Sequence, residues 1–194
     1  MWLVDPLCGT LNYAVGNMLV AVNAALRIGS ATTVAASADP FADEVFWTDG
    51  RSAYLRSDGT DQQLCPSAES RLVEVNLDPP FPNAPGFSAA QLHAETEFVE
   101  HFRARVVSTT LAVAWVAAGR RAAYITDGDL RENVHFASGI ALCRAAGCVV
   151  TGIAGQHVDT AASGLVVAAD QQTHDALLAL IRSQRSGRQL ASGI

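Results

Sequence analysis

The chain has no lysine; all 13 of its basic residues are arginine. That excludes Schiff-base chemistry, a lysine nucleophile and a phosphate-binding P-loop, each of which needs a primary amine. A basic cluster is also lacking. The net charge is −6, so nucleic acid is not an expected partner. No apolar run is long enough to span a membrane: the longest, Ala14 to Ala25, is interrupted by Asn17 and Asn23. No basic segment leads into an apolar one at the start of the chain, so no signal peptide is expected. The four cysteines, Cys8, Cys65, Cys143 and Cys148, form no Cys-x-x-Cys pair. That spacing argues for a reduced, cytoplasmic setting and against zinc.

What is present is 194 residues, 49% of them hydrophobic. One domain, 1–194, with a sizeable core is expected, and its tail, 185–194, should be flexible. The most informative stretch is the first thirteen residues, MWLVDPLCGTLNY. Trp2-Leu3-Val4 reads as a short buried strand that delivers Asp5 to a turn at Pro6. Cys8-Gly9-Thr10 then opens a helical turn that Thr10 can cap. An acid at a strand end, followed by a Gly-Thr helix start, suits an anion: free N–H groups point outward and the helix dipole favours negative charge.

Leu19–Arg27, Thr32–Ser37, Glu44–Thr48 and Ser52–Arg56 read as strands. Turns at Gly29-Ser30, Asp39-Pro40 and Asp49-Gly50 join them, and Asp58-Gly59 closes the last hairpin. This is an antiparallel meander. Arg71–Leu77 alternates as a strand, and the prolines at 79, 80, 82 and 85 then impose an irregular loop. Ser88 can cap a helix running to Phe102, and Val106-Val107 is a brief strand. Ser108–Ala118 is a small-residue apolar helix stopped by Gly119. Ala122–Thr126, Cys148–Thr151 and Gly164–Ala169 read as strands. Asn133 caps a helix to Ala146, and Thr173 caps the last one. A meander followed by helix–strand units means α/β layers.

Trp2-Leu3-Val4-Asp5-Pro6-Leu7-Cys8-Gly9-Thr10-Leu11-Asn12-Tyr13 resembles the signature Trp-x-Val/Ile-Asp-Pro-Leu/Ile-Asp-Gly-Thr-x-Asn-Phe of the inositol monophosphatase superfamily. Val107 to Arg120 resembles that family's Gly-Ser-Ala segment and the helix behind it. His135 to Gly147 resembles its Trp-Asp-x-Ala-Ala-Gly helix. Gly164 to Ala169, with His174 and Leu177-Leu178, resembles its last strand and helix. The resemblance implies a layered inositol-monophosphatase-like α/β fold, shortened because the family's N-terminal helices and Glu-Glu metal motif have no counterpart here.

It also implies a phosphatase of inositol, sugar or nucleotide phosphates that uses Mg²⁺ held by carboxylates. Carried over by position, Asp5 matches the metal-bridging aspartate and Leu7 a backbone-carbonyl ligand. Cys8 and Phe136 stand where the family has aspartates, and His135 stands at its Trp. Mg²⁺ wants several hard oxygen ligands; a thiol is soft and a phenyl ring cannot ligate. Water activation by a metal pair should therefore be lost. No metal cofactor is expected, with Asp5 the one residue to touch a metal if any does.

The candidate catalytic residues are Asp5 as base, Cys8 as acid or nucleophile and His135 as proton carrier. The Cys8 thiol pKa is expected to fall at a helix start; the plainer reading is a space filler. For His135 the plainer reading is a packed helix histidine. Gly9 and Thr10 are the expected anion cradle. Asp129 lies where some relatives contact substrate hydroxyls, and a solvated turn is the alternative. Trp47, Trp115, Cys143 and Cys148 read as core, and His174 as surface. Three functions stay open. The first, which the retained polar groups favour, is metal-independent acid–base or nucleophilic chemistry on a small anionic or polyhydroxylated molecule. The others are a residual Mg²⁺-dependent phosphatase and a non-catalytic pseudoenzyme. The family's N-terminal helices would cover a sheet whose strands stay apolar here at Leu19, Val20, Val22, Ala24, Leu26, Val34, Val45 and Phe46. An uncovered face of that kind favours a two-fold homodimer, the rival being a separate polypeptide that supplies the cover.

Overall fold

The computed structural model describes residues 1–78, 87–128, 130, 134–158 and 164–191. The expected proline loop, most of which falls at 79–86, the candidate Asp129 and the expected cap Asn133 lie outside the described residues.

The chain opens with β1 (Trp2–Cys8) and the short α1 (Thr10–Ala14). Then come β2 (Ala21–Ile28), β3 (Ala31–Asp39), β4 (Glu44–Thr48), β5 (Ala53–Ser57) and β6 (Thr60–Gln63). With β1 they form a six-stranded antiparallel sheet in sequence order. This is the expected meander, with β1 recruited to its edge. β1 is not the buried strand expected from Trp2-Leu3-Val4. Its residues alternate, so Trp2 and Val4 stay 59% and 54% exposed while Asp5 is buried.

The second sheet is built from β7 (Leu72–Asn76), β8 (Arg103–Val106), β9 (Ala123–Thr126), β10 (Val149–Thr151) and β11 (Leu165–Ala168), in the order β10-β11-β9-β7-β8. β7 lies parallel to β8 and β9, and the remaining pairs are antiparallel. Every residue of β9 and β11 is buried, because this sheet is covered on both faces. One face carries α2 (Ala89–Leu92), α3 (Thr96–His101) and α6 (Gln171–Ala191). The other meets α4 (Leu111–Ala117) and α5 (Val134–Ala146), which also pack on the first sheet. The layers are therefore sheet, helix pair, sheet, helices. The single helix expected from Ser88 to Phe102 is two short ones. The last helix begins after Asp170, whose carboxylate accepts the Thr173 N–H at 2.7 Å; Thr173 is not the cap. That helix reaches Ala191, through most of the tail expected to be flexible.

Buried on both sides, α5 is apolar almost all round, and it reaches both neighbours through small residues. Ala137 meets Ala25 and Ala35 of the first sheet. Gly139 touches α4 so closely that a Cβ there would fall 2.8 Å from Val113. The first sheet's inner face also buries Ala21, Phe46 and Ala53. Phe46 and Val20, expected on an open face, are thus interior. Strand parity decides this for Phe46: its neighbour Trp47 takes the outer position. Trp47, expected in the core, stacks on Tyr54 with ring centres 4.7 Å apart and donates its indole N–H to Asp61. His174, expected at the surface, is buried with Nε2 2.8 Å from Thr151 Oγ1. Among the described residues no helix is long and apolar enough to cross a membrane.

Four buried polar side chains fasten the middle layer. Asn23 of β2 donates to Thr110 Oγ1 at 2.9 Å and accepts from Ser37 of β3 at 2.8 Å and Ser138 of α5 at 3.0 Å. The two serine hydroxyls are 2.9 Å apart. Asn23→Ala removes three buried hydrogen bonds at once, leaving Thr110 without its donor and the two serines with only each other. An unsatisfied buried polar group costs about 1–3 kcal/mol, so unfolding in denaturant should show a loss at the upper end of that range. Ser37→Ala, which leaves Asn23 bonded to Ser138 and Thr110, should lose less.

Candidate functional site

Asp5 pairs with Asn23 across the β1–β2 ladder, and Cys8 pairs with Ala21. Three residues advance on β1 while two advance on β2, so the strand bulges at Pro6-Leu7. Gly9 follows with φ of +85°, and a Cβ there would lie 2.7 Å from the Leu19 carbonyl oxygen. Only glycine fits that turn. The Asn12 side chain then staples α1 down by donating to the Leu19 and Ser108 carbonyls at 2.9 and 2.6 Å.

His135 lies in the first turn of α5. Ser138, one turn further on, is held by Asn23, so the same face of the helix meets the sheet. This docking sets His135 Nδ1 2.6 Å from Asp5 Oδ2. The carboxylate is 7% exposed and the imidazole 51%. Ligand atoms of Asp5, Cys8 and His135 all lie within 4.8 Å of one another. The three residues named as catalytic candidates therefore converge, although 130 positions separate the first from the last. His135 is not simply a packed helix histidine.

The electrostatics of Cys8 differ from expectation. Burial pushes its thiol above the ordinary value, and the neighbouring Asp5 charge adds to this. Hydrogen bonds with the Thr110 side chain and backbone pull the other way but do not win. The lowering expected of a helix start fails because Cys8 ends a strand, and the helix after it has only five residues and few aligned dipoles. Thr10 is exposed, and no side-chain capping bond forms; Gly9 takes the cap position.

Thr110 and Asn23 are residues that sequence reasoning missed. Thr110 Oγ1 accepts from Asn23, which leaves its hydroxyl proton to donate toward the Cys8 sulfur. The only hint in sequence was the polar Ser108-Thr109-Thr110 opening an otherwise apolar helix. Of the three clustered side chains, only Asp5 offers the hard oxygen that Mg²⁺ prefers. Phe136, at the position of a lost carboxylate, is buried in the core against Tyr124 with ring centres 6.0 Å apart. The Cys8 sulfur is a soft donor and the His135 nitrogen a borderline one.

Residues 1–186 match the model of the inositol monophosphatase family. The chain is 30% identical over 191 residues to an inositol-1-monophosphatase of Caulobacter vibrioides, covering 94% of this chain and 71% of the relative. It is 33% identical over 193 residues to the Nus factor SuhB of Escherichia coli, covering 95% and 68%. Among solved structures, Mycobacterium tuberculosis SuhB aligns with a TM-score of 0.74 at 25% identity, over 94% of this chain and 72% of that one. Thermotoga maritima IMPase aligns with a TM-score of 0.78 at 16% identity, over 96% and 70%.

The thiols should separate by alkylation. Cys65 is exposed, Cys8 half-buried and Cys143 buried with its thiol pushed well up. At neutral pH Cys65 should label first, Cys8 slowly and Cys143 last. The Cys8 rate should climb only in the alkaline range, where the thiolate forms. Mass spectrometry of timed samples reads the order; Cys8 labelling ahead of Cys65 at neutral pH would mean a low-pKa thiolate.

Proposed function

Because the chain belongs to the inositol monophosphatase family, we propose that it acts on a small anionic or polyhydroxylated molecule at the Asp5–Cys8–His135 cluster, by chemistry that does not run through Mg²⁺. The observation that carries this is the 2.6 Å contact between Asp5 Oδ2 and His135 Nδ1. A buried carboxylate on Nδ1 holds the ring proton there and leaves Nε2 as the basic nitrogen. The half-exposed imidazole is then the group that meets the ligand and moves a proton. Asp5, expected as the base, becomes the residue that orients it. Cys8 supplies a neutral thiol beside them. The replacement of two carboxylates by Cys8 and Phe136 disfavours the Mg²⁺ reading.

Inositol monophosphate is the natural probe, given the relatives. Calorimetry should detect its binding without Mg²⁺, and phosphate release should not respond to millimolar Mg²⁺. His135→Ala should lower kcat/KM by about 10²–10⁴-fold, the usual contribution of a positioned base, with the melting temperature nearly unchanged. Turnover that requires Mg²⁺ would return the chain to the family's metal chemistry. Tight binding with no turnover of inositol or sugar phosphates would make it a binding protein.

The outer face of the first sheet supports self-association. Trp2 pairs with Leu26, which pairs with Val34; Val4, Ala24, Ala36 and Trp47 line up beside them. Trp2, Val4, Val22 and Val34 are all exposed. Contiguous apolar patches beyond a few hundred Å² mark interfaces, and one self-complementary face gives a two-fold dimer. Light scattering at micromolar concentration should return a dimer that Val34→Glu weakens. A monodisperse monomer would overturn this assembly.

A further inference from the structure

We propose that Asp5, Cys8 and His135 form a binding site for one borderline-soft divalent cation of the zinc class, in place of the hard cations that a carboxylate cluster would take. The proposal rests on the reading that this cluster is the working site. It departs from the expectation, drawn from cysteine spacing and from Mg²⁺ preference, that no metal is held. Spacing could not have shown it, because the nitrogen donor comes from α5 and the other two donors from β1.

One carboxylate oxygen, one sulfur and one imidazole nitrogen lie within 4.8 Å of one another. Three protein ligands of these types, with a fourth position left for water or substrate, are the pattern of catalytic zinc rather than of Mg²⁺ or Ca²⁺. A cation about 2.0–2.3 Å from each donor would set them about 3.3–3.8 Å apart in a tetrahedron. The three donors, all within 4.8 Å of one another, need shifts of about 1 Å or less to reach it. The 2.6 Å Asp5–His135 hydrogen bond must open by under about 1 Å as the metal takes its place. With the cation bound, the nitrogen that faces Asp5 Oδ2 is a ligand and the ring proton sits on the other, so His135 holds the metal there and acts as the base only in the metal-free chain. Cys8 binds as the thiolate, its proton released to solvent.

The surroundings suit a resident metal. Thr110 donates toward the Cys8 sulfur and is itself oriented by Asn23. Such outer-shell bonds fix ligand geometry and support a coordinated thiolate. Asn23 also holds Ser138 and so fixes the helix that carries His135. The ligands stand on a strand and a helix tied together beneath them, not on loops.

Cobalt(II) is the probe, since it reports its donors by colour. The full chain, stripped with chelator and kept reduced, is titrated with Co²⁺. One equivalent should raise a thiolate-to-cobalt charge-transfer band in the near ultraviolet together with intense visible bands of low coordination number. Zn²⁺ should displace it stoichiometrically, and a large excess of Mg²⁺ should not. Cys8→Ser should abolish the charge-transfer band, while Cys65→Ser leaves it unchanged. His135→Ala should weaken Co²⁺ by about tenfold or more. Cys8→Asp guards against a folding failure of the serine variant: it should keep a Co²⁺ spectrum without the thiolate band and gain Mg²⁺ binding. Absence of the band in the unaltered chain, or its survival in Cys8→Ser, overturns the proposal. Turnover that ignores Mg²⁺ without any cobalt band defeats the metal site and leaves the proposed function standing. A cobalt band without turnover does the reverse.

Discussion

Asn23 is a neutral amide in the middle of an apolar layer, and its three hydrogen bonds decide how that layer sits. A buried amide left unpaired is costly, so β2, β3, α5 and the start of α4 are held in one relative arrangement, the one that satisfies it. Apolar packing alone would not do this. The inner face of the first sheet presents alanines to an alanine- and glycine-bearing helix, and small smooth surfaces slide. The polar contacts remove that freedom. The position of His135 over Asp5, and therefore every chemical statement about the cluster, depends on that fastening.

Much of the layering was legible in the chain because the periodicities are clean. The strand at Glu44–Thr48 has the limits that alternation suggests. The apolar helix stopped by Gly119 is buried, as its composition requires, though it begins at Leu111 rather than Ser108. Parity was harder. Trp47 and Phe46 are adjacent and both aromatic, and nothing local says which of them faces in; the answer comes from pairing with Ala36 and Ser37 on the neighbouring strand. The caps were misread for a related reason. Thr10 and Thr173 are competent capping residues, but Gly9 and Asp170 occupy the positions where the backbone turns.

The site was legible in part. Asp5, Cys8 and His135 stood out through their places in a recognisable signature, and they do meet. What a linear reading could not supply was the environment of the thiol. Sequence put Cys8 at a helix start, which acidifies a thiol. Space put it under Thr110 and beside a carboxylate, where burial outweighs a one-and-a-half-turn helix. Likewise it is only in space that Asp5 proves buried and His135 half exposed.

The bulge at Pro6-Leu7 has a consequence of counting. In an unbroken strand, residues three apart face opposite sides, so Asp5 and Cys8 would be divided between the core and the open face. The one extra residue turns an odd separation into an even one, and both side chains end up on the inner face. The cluster is thus a product of parity. Straightening the strand without removing a residue would turn either the sulfur or the carboxylate out to the far side of the sheet, whereas removing one bulged residue would restore a regular ladder with both still on the inner face. A scaffold built this way can lose its site by a one-residue slip of register while retaining every layer of its architecture.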